Sequence, residues 1–187
     1  RGVFFYWTTL AALAIQFGNL GLHSSNTYYL AKGHVRLSTL AANSFWISLF
    51  GGVVLGGLLT LFLSLTGGLL RDTWPLLLPA LLMISSGLYF LLGTNLLVAD
   101  SRIGEYNGFE LASRYLGLAT LSFAAWYWRT PQALLVGMSI VAALICLPLY
   151  YRLRVLGGEG QASFRLIKDG FGYATRAYLA TAIGFAV

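Results

Sequence analysis

Charge is what this chain has least of. Asp, Glu, Lys and Arg supply 10% of its 187 residues, while 58% are apolar. A soluble domain carries about 25% charged residues, so this chain cannot cover a water-facing surface and lipid is its expected solvent. Cysteine is nearly absent as well. Cys146 stands alone inside an apolar block, which excludes an internal disulfide and any Cys/His metal spacing. The basic start, short apolar core and small-residue cleavage site of a signal peptide are missing. So is a basic run with interleaved aromatics, which speaks against nucleic acid as a partner. The net charge of +6 is then loop charge of the kind that orients a membrane protein. The chain opens on Arg1 without Met and stops within the apolar "TAIGFAV", so a piece of a longer protein is expected.

What is present is a series of apolar blocks, roughly 3–31, 38–65, 75–99, 105–128, 131–151 and 171–187. A helix needs about 20 apolar residues to cross a bilayer. Strict alternation is absent and the blocks are too long for barrel strands. The expected fold is all-α, a polytopic transmembrane helix bundle of about six spans. Its expected parts are a first lobe over 1–151, an inter-lobe loop over 152–170 and the first helix of a second lobe over 171–187. The breaks coincide with turn chemistry: "AKGHVRLS", "TGGLLRDTWP", "ADSRIG" and "RTP". Thr130-Pro131 reads as a helix cap followed by proline at the first helical position. "GGVVLGG" sets Gly52 and Gly56 at a spacing that permits close helix contact. In the loop, "GGEG" reads as a flexible link and "SFRLIKD" as a short interfacial helix or a plain connector.

Lys and Arg are unevenly shared between the two sides. With Arg1 placed outside, the outer side holds Arg1, Arg71 and Arg129. The other side holds Lys32, Arg36, Arg102, Arg152, Arg154, Arg165 and Lys168. Positive charge favours the cytoplasmic side, so the first span runs inward and 152–170 is cytoplasmic. Trp7, Trp74, Trp126 and Trp128 near outer ends, and Tyr28, Tyr29, Tyr150 and Tyr151 near inner ends, fit interfacial belts.

Polar residues inside the blocks are not scattered. Gln16, Asn19, His23 and Asn26 follow spacings of 3, 4 and 3 on one helical face, with Thr9 farther out. Such a face avoids lipid, where its groups would lack partners. Asn107, Glu110 and Arg114 repeat the geometry. Arg114 lies about 14 Å into its block at 1.5 Å per residue, near the middle of a hydrocarbon core about 30 Å thick. A charge there costs about 2.5–3.5 kcal/mol on insertion scales, which an i,i+4 pair with Glu110 offsets in part. Arg176 enters the last block from the inner side. The polar set reads either as inter-helix glue and an ion pair or as the lining of an aqueous pathway. Arginines in such a pathway suit a phosphate-bearing cargo.

The order of residues resembles a known family. "RGVFFYWTTLAALAIQFGNLGLHSSNTYYLAK" is similar to the second transmembrane helix of polysaccharide flippases, through Gly18, Gly21, Leu22, Ser24, Tyr28, Tyr29, Leu30 and Ala31. "NLLVADSRIGEYNGFEL" looks like that family's hinge between helices four and five, and "SFRLIKDGFGYATRAYLATAIGF" like the start of helix seven. The family is the lipopolysaccharide O-antigen flippases, within the multidrug/oligosaccharidyl-lipid/polysaccharide exporter superfamily.

That resemblance implies a multi-pass protein of the bacterial cytoplasmic (inner) membrane, covered here over about helices two to seven. It implies a transporter and not an enzyme, with no cofactor. The cargo would be a polyprenyl-pyrophosphate-linked oligosaccharide, moved by alternating access with a coupling proton or sodium ion. Arg114 and Arg176, with His23, would meet pyrophosphate. Gln16, Asn19 and Asn26 would meet sugar or line the path. Glu110 would position Arg114 or bind the coupling ion. A multidrug antiporter of the same superfamily is the alternative, although its cationic cargo calls for an acidic cavity. A membrane glycan polymerase or ligase is a further one. No Ser/His/Asp set, phosphate-cradling glycine loop or metal cluster supports it.

Overall fold

In a computed structural model the described residues are 2–33, 35–65, 74–170, 172 and 174. The expected block 171–187, two residues apart, lies outside them, and so do Arg176, Arg1 and Arg71. Among the described residues every regular element is helical. The helices are α1 (Gly2–Asn19), α2 (Leu22–Ala31), α3 (Leu37–Leu65), α4 (Leu77–Ala99), α5 (Ile103–Tyr127) and α6 (Pro131–Gly157). A 3-10 turn, Trp74–Leu76, leads into α4, and residues 164–170 are again helical.

About six crossings were expected. Three helices are long and apolar enough to cross a membrane: α3 over Leu37–Phe62, α4 and α6. α1 and α2 make a fourth if the pair, bent by 42°, is one span. α5 falls short in composition and not in length. Its 25 residues extend about 37 Å, but Glu105, Glu110 and Arg114 lower its hydropathy.

The expected boundary at 151 also moves. α6 runs on to Gly157, through Pro148, so Arg152 and Arg154 stand on helix and not in a loop. Proline removes one backbone hydrogen bond, a loss that membrane helices tolerate. At its other end α6 starts as its sequence suggests. Thr130 is extended, its hydroxyl accepts from the Ala133 N–H at 3.3 Å, and Pro131 follows.

α4 is the centre, packed against α1, α2, α3, α5 and α6. Ala80, Ile84, Leu88, Leu92 and Leu96 recur every fourth residue and are at most 1% exposed, so they form one continuous i±4 ridge. α6 adds Leu149 and Leu153 beside Leu96, Leu97, Tyr89 and Leu40. The Ser139 hydroxyl of α6 donates to the Pro79 carbonyl of α4 at 2.7 Å.

α3 reaches α4 through its glycines. A Cβ on Gly52 would run into Ser85, with the Ser85 Cα only 2.9 Å away. A Cβ on Gly56 would meet the end of the Leu81 side chain. The two positions therefore differ in what must yield, backbone in one case and a rotatable leucine in the other. Gly52→Ala is expected to lose about 1–3 kcal/mol, the cost of overpacking. Gly56→Ala is expected to be near neutral, because a helix-propensity gain of about 1 kcal/mol offsets the leucine's adjustment. Reversible unfolding of both variants in detergent micelles measures the difference.

Candidate functional site

The polar stripe of the first block crosses a break in the helix. Leu20 (φ 43) and Gly21 (φ 75) both sit in the left-handed region and separate α1 from α2. Glycine adopts that conformation freely; leucine does so at a cost. The break frees backbone donors, and Asn19 takes one of them: its Oδ1 accepts from the His23 N–H at 3.3 Å. The Asn19 amide also meets His23 Nδ1 at 2.5 Å, and Ser24 Oγ lies 3.1 Å from His23 Nε2. Asn19, His23 and Ser24 thus form one connected set directly at the bend.

The four stripe residues do not share one environment. Asn19 and Asn26 are buried, His23 is half-buried, and Gln16 is exposed along with Thr9. Asn26 leaves the set and turns to α3, where its Nδ2 donates to Ser44 Oγ at 3.0 Å. Asn43, beside Ser44, accepts from the Ser163 N–H at 2.8 Å. The α2–α3 side of the bundle is therefore tied by amide and hydroxyl groups down to the segment that follows α6.

α5 carries the second stripe on the flank of the bundle, packed chiefly on α6. Glu110 Oε2 and Arg114 Nη2 are 3.3 Å apart, with the Arg114 side chain 79% exposed and Glu110 28%. Among the described residues no hydrogen bond or ion pair joins this pair to Gln16, Asn19, His23 or Asn26. Arg176 lies outside the described residues, so its place relative to Arg114 is not described.

A further charged set, not singled out by spacing, holds one end of the bundle. Arg102, in the turn between α4 and α5, bonds Asp100 Oδ2 at 2.7 Å and Glu105 Oε1 at 3.1 Å. Arg152 of α6 grips the same Glu105 with two hydrogen bonds of 2.7 Å, the fork geometry that arginine favours. The Arg102 guanidinium is held above its ordinary pKa by its bonds to Asp100 and Glu105. Sequence separation hides this set, since Glu105 and Arg152 are 47 residues apart. A lone acid at the start of α5 facing basic residues at the end of α6 was its only signal.

Among the described residues no group of His, Cys, Asp and Glu could hold a metal ion. Comparison with protein-family models, curated proteins and solved structures returns no match.

Asn26 has a buried partner on another helix, which separates a structural role from a ligand role. Interhelical hydrogen bonds in membranes average about 0.6 kcal/mol and reach about 1.7 kcal/mol. A double-mutant cycle of Asn26→Ala and Ser44→Ala is expected to give a coupling in that range when unfolding is measured in micelles. A zero coupling would leave the asparagine free for other contacts.

Proposed function

We propose that this chain is part of a lipid-linked oligosaccharide flippase of the O-antigen type. It would lie in a bacterial cytoplasmic membrane and move a polyprenyl-pyrophosphate-linked glycan by alternating access. In this reading α1–α2, α3, α4, α5 and α6 are crossings of one lobe, and the segment after Gly158 leads to a second. The end holding Arg102, Arg152 and Arg154 faces the cytoplasm, in keeping with the excess of positive charge there.

One observation carries the proposal. Arg114 stands near the middle of α5 with a side chain 79% exposed. Its neighbour Glu110 cannot cancel the cost of placing that guanidinium in acyl chains, which argues that this face of α5 meets water or polar groups. A guanidinium at that depth suits pyrophosphate. The break at Leu20–Gly21 gives support, because interrupted helices in transporters occur where the backbone is buried in protein or lines a cavity.

The state of the acids favours an anionic cargo over the cationic drugs of an antiporter. Asp100, Glu105, Glu110 and Glu159 each face an arginine within 3.3 Å. A cation would have to break one of those pairs to reach any of these four; Asp169, on the segment after α6, stands outside them.

Two measurements on the full-length protein test the reading. In a Cys146→Ala background, cysteines placed at 110 and 114 are expected to react with water-borne thiol reagents, whereas cysteine at the buried position 92 stays protected. Arg114→Ala and Arg176→Ala are each expected to reduce surface polysaccharide in a complementation assay. Protection at 110 and 114 in every state, together with full activity of both alanine variants, would end the proposal.

A further inference from the structure

At the end gathered by Arg102 and Arg152, α3 and α6 part to leave a cleft of about 430 Å³. One wall is aromatic. Phe45 and Trp46 of α3 pack edge-on with centroids 5.5 Å apart, and Phe45 leans on Tyr150 of α6, also at 5.5 Å. Facing them are Arg154 at the end of α6 and Glu159 on the segment beyond it. Among the described residues these two are the only charged groups lining the cleft. They pair with each other at 2.7 Å, with side chains 54% and 88% exposed.

The rim of the cleft is fastened. A Cβ on Gly157 would lie 2.7 Å from the Ser38 amide nitrogen, and one on Gly160 would overlap the Ser38 carbonyl. The absence of side chains at both positions lets residues 157–160 lie directly on the backbone of α3. The Ser163 N–H then bonds Asn43. The wall continues as an apolar strip along α3, where Leu49, Phe50, Val53 and Val54 are exposed. α3 is one of the helices apolar enough to cross a membrane.

A charge of each sign and an aromatic wall therefore line one cleft, and exposed apolar residues of α3 follow beyond it. We propose that the cleft seats a zwitterionic membrane phospholipid. The Arg154–Glu159 pair opens to take the headgroup. Arg154 holds the phosphate, for which a guanidinium is shaped, and Glu159 takes the ammonium. Trp46, stacked on Phe50 at 5.6 Å, and Tyr150 line the cleft beside the same cation, and the acyl chains lie along Leu49, Phe50 and Val53. A headgroup with one charge of each sign leaves neither partner unpaired; a purely anionic one strands Glu159. The exposed Arg154–Glu159 pair opens readily, because solvated ion pairs are weak. The site is separate from Arg114 and depends only on the chain lying in a membrane, not on the cargo proposed above.

Native mass spectrometry of the full-length protein in detergent tests this. Phosphatidylethanolamine and phosphatidylglycerol are titrated in separate arms, with inorganic phosphate and a polyprenyl phosphate as competitors. The wild type is expected to retain phosphatidylethanolamine in preference to phosphatidylglycerol. Arg154→Gln is expected to lower retention of both lipids about tenfold, the scale of one lost charge-assisted bond. Glu159→Gln, at an exposed position that packing does not use, is expected to lower the ethanolamine-to-glycerol preference by about tenfold. Trp46→Ala is expected to weaken both lipids. Three results would overturn the proposal: a preference unmoved by Glu159→Gln, displacement of the lipid by inorganic phosphate alone, or tighter retention of the polyprenyl phosphate than of either phospholipid.

Discussion

The ridge of α4 and the short distance at which its neighbours meet it govern the rest of the structure. Ala80, Ile84, Leu88, Leu92 and Leu96 leave no gap for water, and Gly52 lets the backbone of α3 come within reach of Ser85. A polar group caught in such packing must find its partner inside the protein. The hydroxyls do so locally. Thr8, Thr27, Ser48, Thr60, Ser86, Thr94 and Ser139 each donate to the carbonyl four residues earlier. Trp7 Nε1 and the Tyr89 hydroxyl are the buried side-chain atoms without a hydrogen bond among the described residues. Bonds that reach beyond one helix, among them Ser139 to Pro79, Asn26 to Ser44 and Ser163 to Asn43, are therefore exceptions with a positional purpose.

The charged groups obey the same constraint differently. Arg102, Glu105 and Arg152 sit where helices end and their charges are partly solvated. They tie the α4–α5 turn to α6 without entering the apolar centre. Glu110 and Arg114 lie well inside the length of α5, and the described bundle does not cover the arginine. That contrast is the physical basis for reading the first set as architecture and for proposing a hydrated face at the second.

Much of this was legible from local pattern. The apolar blocks mark α3 and α4 closely, Thr130-Pro131 marks the start of α6, and the Gly52–Gly56 spacing marks a helix contact. Three features were not. The face shared by Gln16, Asn19, His23 and Asn26 is continuous only if the helix is, and nothing local says that Leu20 adopts a positive φ. Pro148 and the arginines after it resemble an exit from the membrane, yet the helix continues to Gly157 because tertiary packing of Leu149 and Leu153 sustains it. The fork between Glu105 and Arg152 depends on two helix ends meeting in space, which spacing along one helix cannot reveal.

Residues 157–160 lie against the start of α3 with no side chain intervening, and the Ser163–Asn43 bond follows at once. The polypeptide beyond α6 consequently sets off from an anchored point and in a fixed direction, not from a slack tether. The segment 164–170 is thereby joined to the first turns of α3 through close backbone contact and one hydrogen bond. The glycines at 157 and 160 serve close packing at the junction, since a Cβ at either would meet Ser38.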